Sequence, residues 1–217
     1  MSILRYILLI LITAKSSVLF AQNDTIYHPA LRIGFDVSGP ARQLVEPETS
    51  TMELSLDYEW MENFFAVLEA GILNVQIEKE SHIYQADGKF FRAGADFNLL
   101  GPQPGSLNDL VLISLRYGFS TMDHKAPYIL IPDPFWGDHR SSLSPEKFRA
   151  HWLEAGLGLK TELFRNLFIG WGLRGRLLLS KTREPEMEPY FIGGFGKSNN
   201  NTSLMLHYHI AYRIPFR

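Results

Sequence analysis

"LFIGWGLRGRLLLS", Leu167 to Ser180, carries two incompatible instructions. Gly170, Gly172 and Gly175 spell G-x-G-x-x-G, the spacing of a dinucleotide-binding loop. The same letters also alternate. Ile169, Trp171, Leu173, Leu177 and Leu179 fall on one face, and Gly170, Gly172, Arg174 and Arg176 on the other. A dinucleotide fingerprint needs a helix opening inside the motif, within a βαβ unit. Here period two runs straight through, broken on its apolar face by Gly175 alone. The stretch reads as a β-strand whose glycines share the polar face with arginines.

The same rule extends outward. "ALRIGFDVS" (Ala30–Ser38) sets Leu31, Ile33, Phe35 and Val37 against Arg32, Gly34, Asp36 and Ser38. "TMELSLDYEW" (Thr51–Trp60) sets Met52, Leu54, Leu56, Tyr58 and Trp60 against Glu53, Ser55, Asp57 and Glu59. Further strands are expected near Phe64–Ile77, Phe90–Leu99, Leu110–Ser120, His151–Leu163, Leu167–Ser180 and Ser203–Phe216. That makes about eight strands. Short links at Met61–Asn63 and Phe164–Asn166 suit hairpins, whereas Gly39–Ser50, Glu78–Lys89, Thr121–Arg149 and Lys181–Thr202 read as long loops. Short turns on one side and long loops on the other are the pattern of an all-β, up-and-down, antiparallel transmembrane β-barrel.

Which way the barrel faces follows from the polar set. It mixes Gly34, Gly94, Gly118, Gly156, Gly158, Gly170 and Gly172 with long charged residues. Glycines beside arginines and glutamates suit a narrow interior, where some positions must vanish so that charges can interlock. The expected lumen network is Arg32, Asp36, Glu53, Asp57, Glu69, Arg92, Asp96, Arg116, Glu154, Arg174, Arg176 and Arg213. Charges in such a lumen must be paired, and a barrel this narrow is filled by its own side chains. On the outer face, Tyr27, Trp60, Phe64, Phe97, Phe168, Tyr212 and Phe216 form an expected aromatic girdle at the short-turn end, with Phe91, Phe119 and Trp152 as a thinner second set.

The first residues differ from the rest. "MSILRYILLILITAKSSVLFAQ" opens with Arg5, runs apolar from Ile7 to Ile12 and ends in small residues before Gln22. The run is too short to span a membrane as a helix, so residues 1–21 read as a signal peptide and 22–217 as the barrel domain. Lys15 and Leu19 make the cleavage pattern imperfect. With no cysteine among 217 residues there is no lipoprotein acylation site and no disulfide framework. A net charge of -2 and the absence of any basic block argue against a nucleic-acid partner. A mean hydropathy of -0.06 is compatible with a membrane barrel, where only alternate residues face lipid.

Motifs that resemble catalytic or binding signatures lack the partners such chemistry needs. "GFGKS" (Gly194–Ser198) lacks the leading glycine of a phosphate loop and is followed by "NNN", not a helix. "SPEK" (Ser144–Lys147) has the S-x-x-K spacing of serine acyl enzymes without its partner motifs, and reads as the cap of one helical turn in a loop. His124 and His139 accompany Asp123, Asp133 and Asp138, at a spacing that fits no metal-ligand pattern. His207 and His209 point inward, toward lumen carboxylates. No cofactor is implied.

"LRIGFDVSGPAR", "LRYGFS", "AHWLEAGLGLKTEL" with "FRNLFIGWGLR", and the closing "YHIAYRIPF" resemble a Bacteroidota family of outer-membrane β-barrel proteins known only as a domain of unknown function. The resemblance covers nearly all of 22–217 and implies the same fold, with no activity attached. The expected protein is a monomeric barrel in outer-membrane lipid with a closed lumen, working through external loops that bind a ligand or protein. Tyr128, Phe135 and Trp136, set among Pro127, Pro132 and Pro134, form the candidate contact surface. Two other classes compete. A barrel-embedded lipid-modifying enzyme would gather Ser, His and a carboxylate at one rim; a small-solute or ion channel would keep a continuous wet lumen.

Overall fold

The computed structural model describes residues 30–100, 109–182 and 188–215. The expected signal peptide, Tyr27 and Phe216 lie outside these. Eight antiparallel strands close into a ring: β1 (Leu31–Asp36), β2 (Thr49–Met61), β3 (Phe64–Lys79), β4 (His82–Asn98), β5 (Leu110–Ile131), β6 (His139–Phe164), β7 (Leu167–Lys181) and β10 (Thr202–Ile214). A short helix, α1 (Ser38–Gln43), follows β1, and a small hairpin of β8 (Phe191–Ile192) and β9 (Gly196–Lys197) lies between β7 and β10. Sequence neighbours pair throughout, and β1 closes the ring on β10 through Leu31↔Ile214 to Asp36↔His209.

The described ends, Ala30 and Pro215, and the tight turns between β2 and β3 and between β6 and β7 lie at one end of the barrel, the near end. Each of these turns needs a residue in the left-handed region, supplied by Asn63 (φ 64) and Asn166 (φ 68). Asparagine tolerates it because its short side chain can bond locally.

At the far end the strands are longer than the sequence pattern suggests. Glu78–Lys89 is not a loop: β3 and β4 run on in register, Gln76↔Gln85 and Glu78↔Ile83, and turn at Glu80 and Ser81. Nor is Thr121–Arg149, because β5 has 22 residues, β6 has 26, and only 132–138 separate them. "SPEK" belongs to β6, not to a helical turn. The two prolines that disguise these strands lie where the ladder slips, Pro127 between the pairs of Ala126 and Ile129, and Pro145 between those of Leu143 and Glu146. Proline cannot donate to a ladder and is tolerated at such bulges.

Polarity reverses along these long strands. Lower down, the outward set is apolar: Met52, Leu54 and Leu56; Leu68 and Ile72; Ile113 and Leu115; Leu157 and Leu159; Leu204 and Leu206, all exposed. A crossing strand needs about 9–11 residues, which this belt supplies. Above it the outward positions turn polar, with Asn74, Gln76, Asp87, Lys89, Asp123, Lys125, Lys147 and Arg149 exposed. Their inward neighbours become an apolar core of Leu73, Val75, Ile77, Tyr84, Phe90, Met122, Phe148 and Trp152, into which Ile192 and Phe195 of the small hairpin insert. The barrel thus has a lipid-type belt and a water-type head.

Two expected girdle residues prove to be interior. Trp152 is buried in the far-end core, and Phe168 is buried in the near-end lumen under Arg32 and Arg213, at 5.2 and 5.6 Å. Each stands two positions from a lumen residue, Glu154 and Gly170, so each shares its face. Trp60, Phe97 and Tyr212 do face outward, and Phe64 packs half-buried on Phe97 at 4.7 Å.

Candidate functional site

Inside the belt, β2, β3, β4, β5, β6 and β7 each aim charges at one point. Glu69 of β3 is the hub: Arg174 bonds it with two nitrogens at 2.9 and 3.1 Å, Arg92 Nε lies at 2.7 Å and Arg116 Nε at 3.1 Å. Arg116 also holds Asp96 at 3.0 Å. Glu154 takes Arg176 Nε at 2.7 Å and Arg174 Nη1 at 3.2 Å, and Glu53 pairs with Arg92. Four guanidiniums thus share four carboxylates, all of them buried except the half-buried Glu53. The planar fork of arginine makes this sharing possible, because each offers donors in several directions.

A second cluster lies toward the near end. Asp57 bridges Lys160 at 2.6 Å and Arg32 at 3.3 Å, and Arg32 stacks on Phe65 at 4.6 Å. Lys160 was the cation missing from the expected network, although its parity with Glu154 marks it as inward. The remaining two expected members stand apart. Arg213 binds Glu162 at 3.4 Å at the near rim, and Asp36 turns to the backbone, accepting from Ser38 N at 2.7 Å and Gly39 N at 3.2 Å.

His207 and His209 do point inward, but not to carboxylates. Their rings stack at 5.6 Å over Gly172 and Gly170, where a Cβ would overlap the imidazoles. This is what the glycines of G-x-G-x-x-G do: they leave room for two rings from β10. His207 Nδ1 and both nitrogens of His209 have no hydrogen-bond partner among the described residues.

The small hairpin seals the far side of this network. Gly194 (φ 75) and Gly196 (φ 117) adopt backbone angles open to glycine, placing Phe195 between them against Trp152 at 6.0 Å. The hairpin's carbonyls then face the arginines: Phe195 O accepts from Arg176 at 3.0 Å, and Gly194 O from Arg92 at 3.4 Å. "GFGKS" is therefore the tip of a plug.

Of the candidate contact residues, Phe135 and Trp136 stand at the β5–β6 tip, each 91% exposed. Asp133 accepts from both their backbone N–H groups at 2.8 and 3.0 Å, which fixes the turn and holds its carboxyl below the usual range. Tyr128 is not with them; it is half-buried within β5, paired with Ile83. His124 is not in a loop either but buried in β5, and among the described residues no group of three or more His, Cys, Asp or Glu is placed to hold a metal. Ser81 Oγ meets His82 Nδ1 at 3.0 Å, yet His82 Nε2 has no hydrogen-bond partner among the described residues, so the carboxylate of a charge relay is missing.

The structure superposes on the crystal structure of a major outer membrane protein from Thermus thermophilus with a TM-score of 0.51 at 10% identity, covering 87% of this chain and 100% of that one. For Ail, the attachment invasion locus protein of Yersinia pestis, the TM-score is 0.43 at 11% identity, covering 86% and 97%. The first likeness gives the fold, that of an outer-membrane β-barrel. No curated protein matches the sequence. A family model described as a domain of unknown function matches residues 1–217.

Proposed function

The chain belongs to that family, DUF6048, and from this premise we propose a monomeric, non-conducting outer-membrane barrel that displays a folded contact surface outside the cell. It is exported through a signal peptide spanning residues 1–21, in an envelope of Bacteroidota type. The observation that carries the proposal is the reversal of polarity above the belt. A barrel wholly inside a membrane has no use for Asn74, Gln76 and Asp123 outside and Val75, Phe90 and Phe148 inside. A barrel with a head in water does.

The head is rigid, being strands with an apolar core, and its highest loop holds two solvated aromatics on a turn fixed by Asp133. Exposed aromatics on a preorganised loop gain most from contact with a partner, since the backbone that carries them has little freedom left to lose. Phe135 and Trp136 are the contact residues in this proposal, and the unidentified partner is a ligand or protein outside the cell.

Single cysteines test the placement, because the chain has none of its own. Gly137→Cys should react with a membrane-impermeant maleimide on intact cells, and Asn166→Cys only after lysis. The reverse pattern would overturn the orientation. Labelling of both in a membrane-free fraction would overturn the membrane assignment.

A further inference from the structure

Ring closure is uneven. β1 has 6 residues and β10 has 13, so β10 is paired with β1 only from His209 to Ile214. The other neighbour shows the same gap: β2 meets β1 from Leu54 to Tyr58, leaving Thr49–Glu53 beyond it. Between those two unmatched stretches the wall has a seam, partly bridged by α1. Behind it lies a cavity of about 720 Å³ that reaches Glu53, Arg92, Arg174 and Arg176.

The seam opens through the far-end part of the apolar belt. Met52 and Leu54 flank it on one side and Leu204 and Leu206 on the other, between 52% and 72% exposed. The lining has the opposite character. Arg42 of α1 and Lys197 of the plug hairpin stand at it without an ion pair among the described residues. His207, only 7% exposed, lines the cavity with Nδ1 lacking a hydrogen-bond partner. Five cationic side chains line the cavity against three acidic ones. Of those acids, Glu53 is paired with Arg92 and Asp36 is bonded to Ser38, while Glu46 is exposed.

We propose that this seam is a lateral binding site for an anionic membrane lipid, entered from the bilayer. The acyl chains lie along Met52, Leu54, Leu204 and Leu206, and the anionic headgroup passes between β2 and β10 to Arg42 and Lys197. A soluble anion has no use for the apolar flanks. A neutral lipid has none for the unpaired cations. The proposal rests on the membrane placement above, which cysteine labelling tests separately.

The test reconstitutes the full chain in nanodiscs of equal phosphatidylglycerol and phosphatidylcholine, and measures lipid retained after gentle release by native mass spectrometry. Wild type should hold phosphatidylglycerol over phosphatidylcholine on the order of tenfold, the worth of one charge-assisted bond. Arg42→Ala with Lys197→Ala should bring the ratio to parity, and Arg42→Glu with Lys197→Glu should invert it. Lys197 is exposed and Arg42 half-buried on the short helix outside the barrel ladder, so the barrel's circular dichroism should not change. Parity in wild type, or a ratio indifferent to both double variants, would overturn the site. Displacement of the lipid by millimolar glycerol phosphate would show that the headgroup alone suffices, and would overturn the membrane source. A retained polypeptide with no lipid preference would mean that the open edge of β10 takes a strand instead, and would also overturn it.

Discussion

Gly118 and Gly158 both face the interior, yet they differ in what a methyl would meet. At Gly118 it would overlap the indole of Trp152; at Gly158 the nearest neighbour is Trp171 O at 3.5 Å, an ordinary contact. Gly118→Ala should therefore destabilise by about 1–3 kcal/mol through overpacking. Gly158→Ala should be neutral or stabilise by up to about 1 kcal/mol, because alanine restricts the unfolded chain. Urea midpoints in lipid vesicles read both, and equal shifts would contradict the packing argument. Charges sort in the same way. Arg174→Leu strips Glu69 and Glu154 of buried partners and should cost about 3–5 kcal/mol. Arg140→Leu, exposed in the β5–β6 hairpin, should cost about 0–1 kcal/mol. If the two midpoints coincide, Arg174 is not holding the network.

Among elements, the β8–β9 hairpin is the one whose stability is borrowed. It has two residues in each strand and is held by Ile192 and Phe195 in the far-end core and by two carbonyls on arginines. Phe195→Ala should leave the barrel folded while raising amide exchange across 190–198, and exchange unchanged there would mean that the hairpin is held some other way. Acid should loosen the same core. His124, in β5 above the belt, lies between Tyr84 and Phe148 at 6.2 and 6.4 Å, with neither nitrogen hydrogen-bonded among the described residues. Burial holds its pKa below the ordinary histidine value, against the opposing pull of Glu146 and Asp123. A depressed folded pKa means that stability is full above the unfolded value and is lost as pH falls below it. Exchange of the hairpin, corrected for intrinsic rate, should therefore accelerate from about pH 7.5 to about pH 5 in wild type, and His124→Leu should flatten the difference. Identical profiles in the two proteins would rule His124 out.

For the whole molecule the consequence is closure. A conducting lumen would need a water path through four arginines clasped to four carboxylates, and then past Phe195. Purified protein in a planar bilayer should show no steady single-channel conductance. Large, reproducible, ohmic openings would refute a plugged lumen and favour a channel. Because charges and plug are in series, the Phe195→Ala variant should stay silent as well.

The sequence by itself determined the period, the strand order and the faces. Alternation is a property of each strand's own backbone, so Arg174 and Arg176 opposite Leu173 and Leu177 could be read locally. Even the two misplaced aromatics were legible this way: Trp152 and Phe168 share parity with Glu154 and Gly170, and position outweighs residue type. Tertiary structure decided what alternation cannot reach. How far β3 to β6 stand above the belt depends on neighbouring strands continuing to pair, so a loop and an extended hairpin look alike where Pro127 and Pro145 interrupt. Which carboxylate meets which guanidinium is a matter of barrel geometry, with Glu69 and Arg174 separated by 105 residues. The seam beside β10 exists because β1 stops short, and a gap in a ring is visible only once the ring has closed.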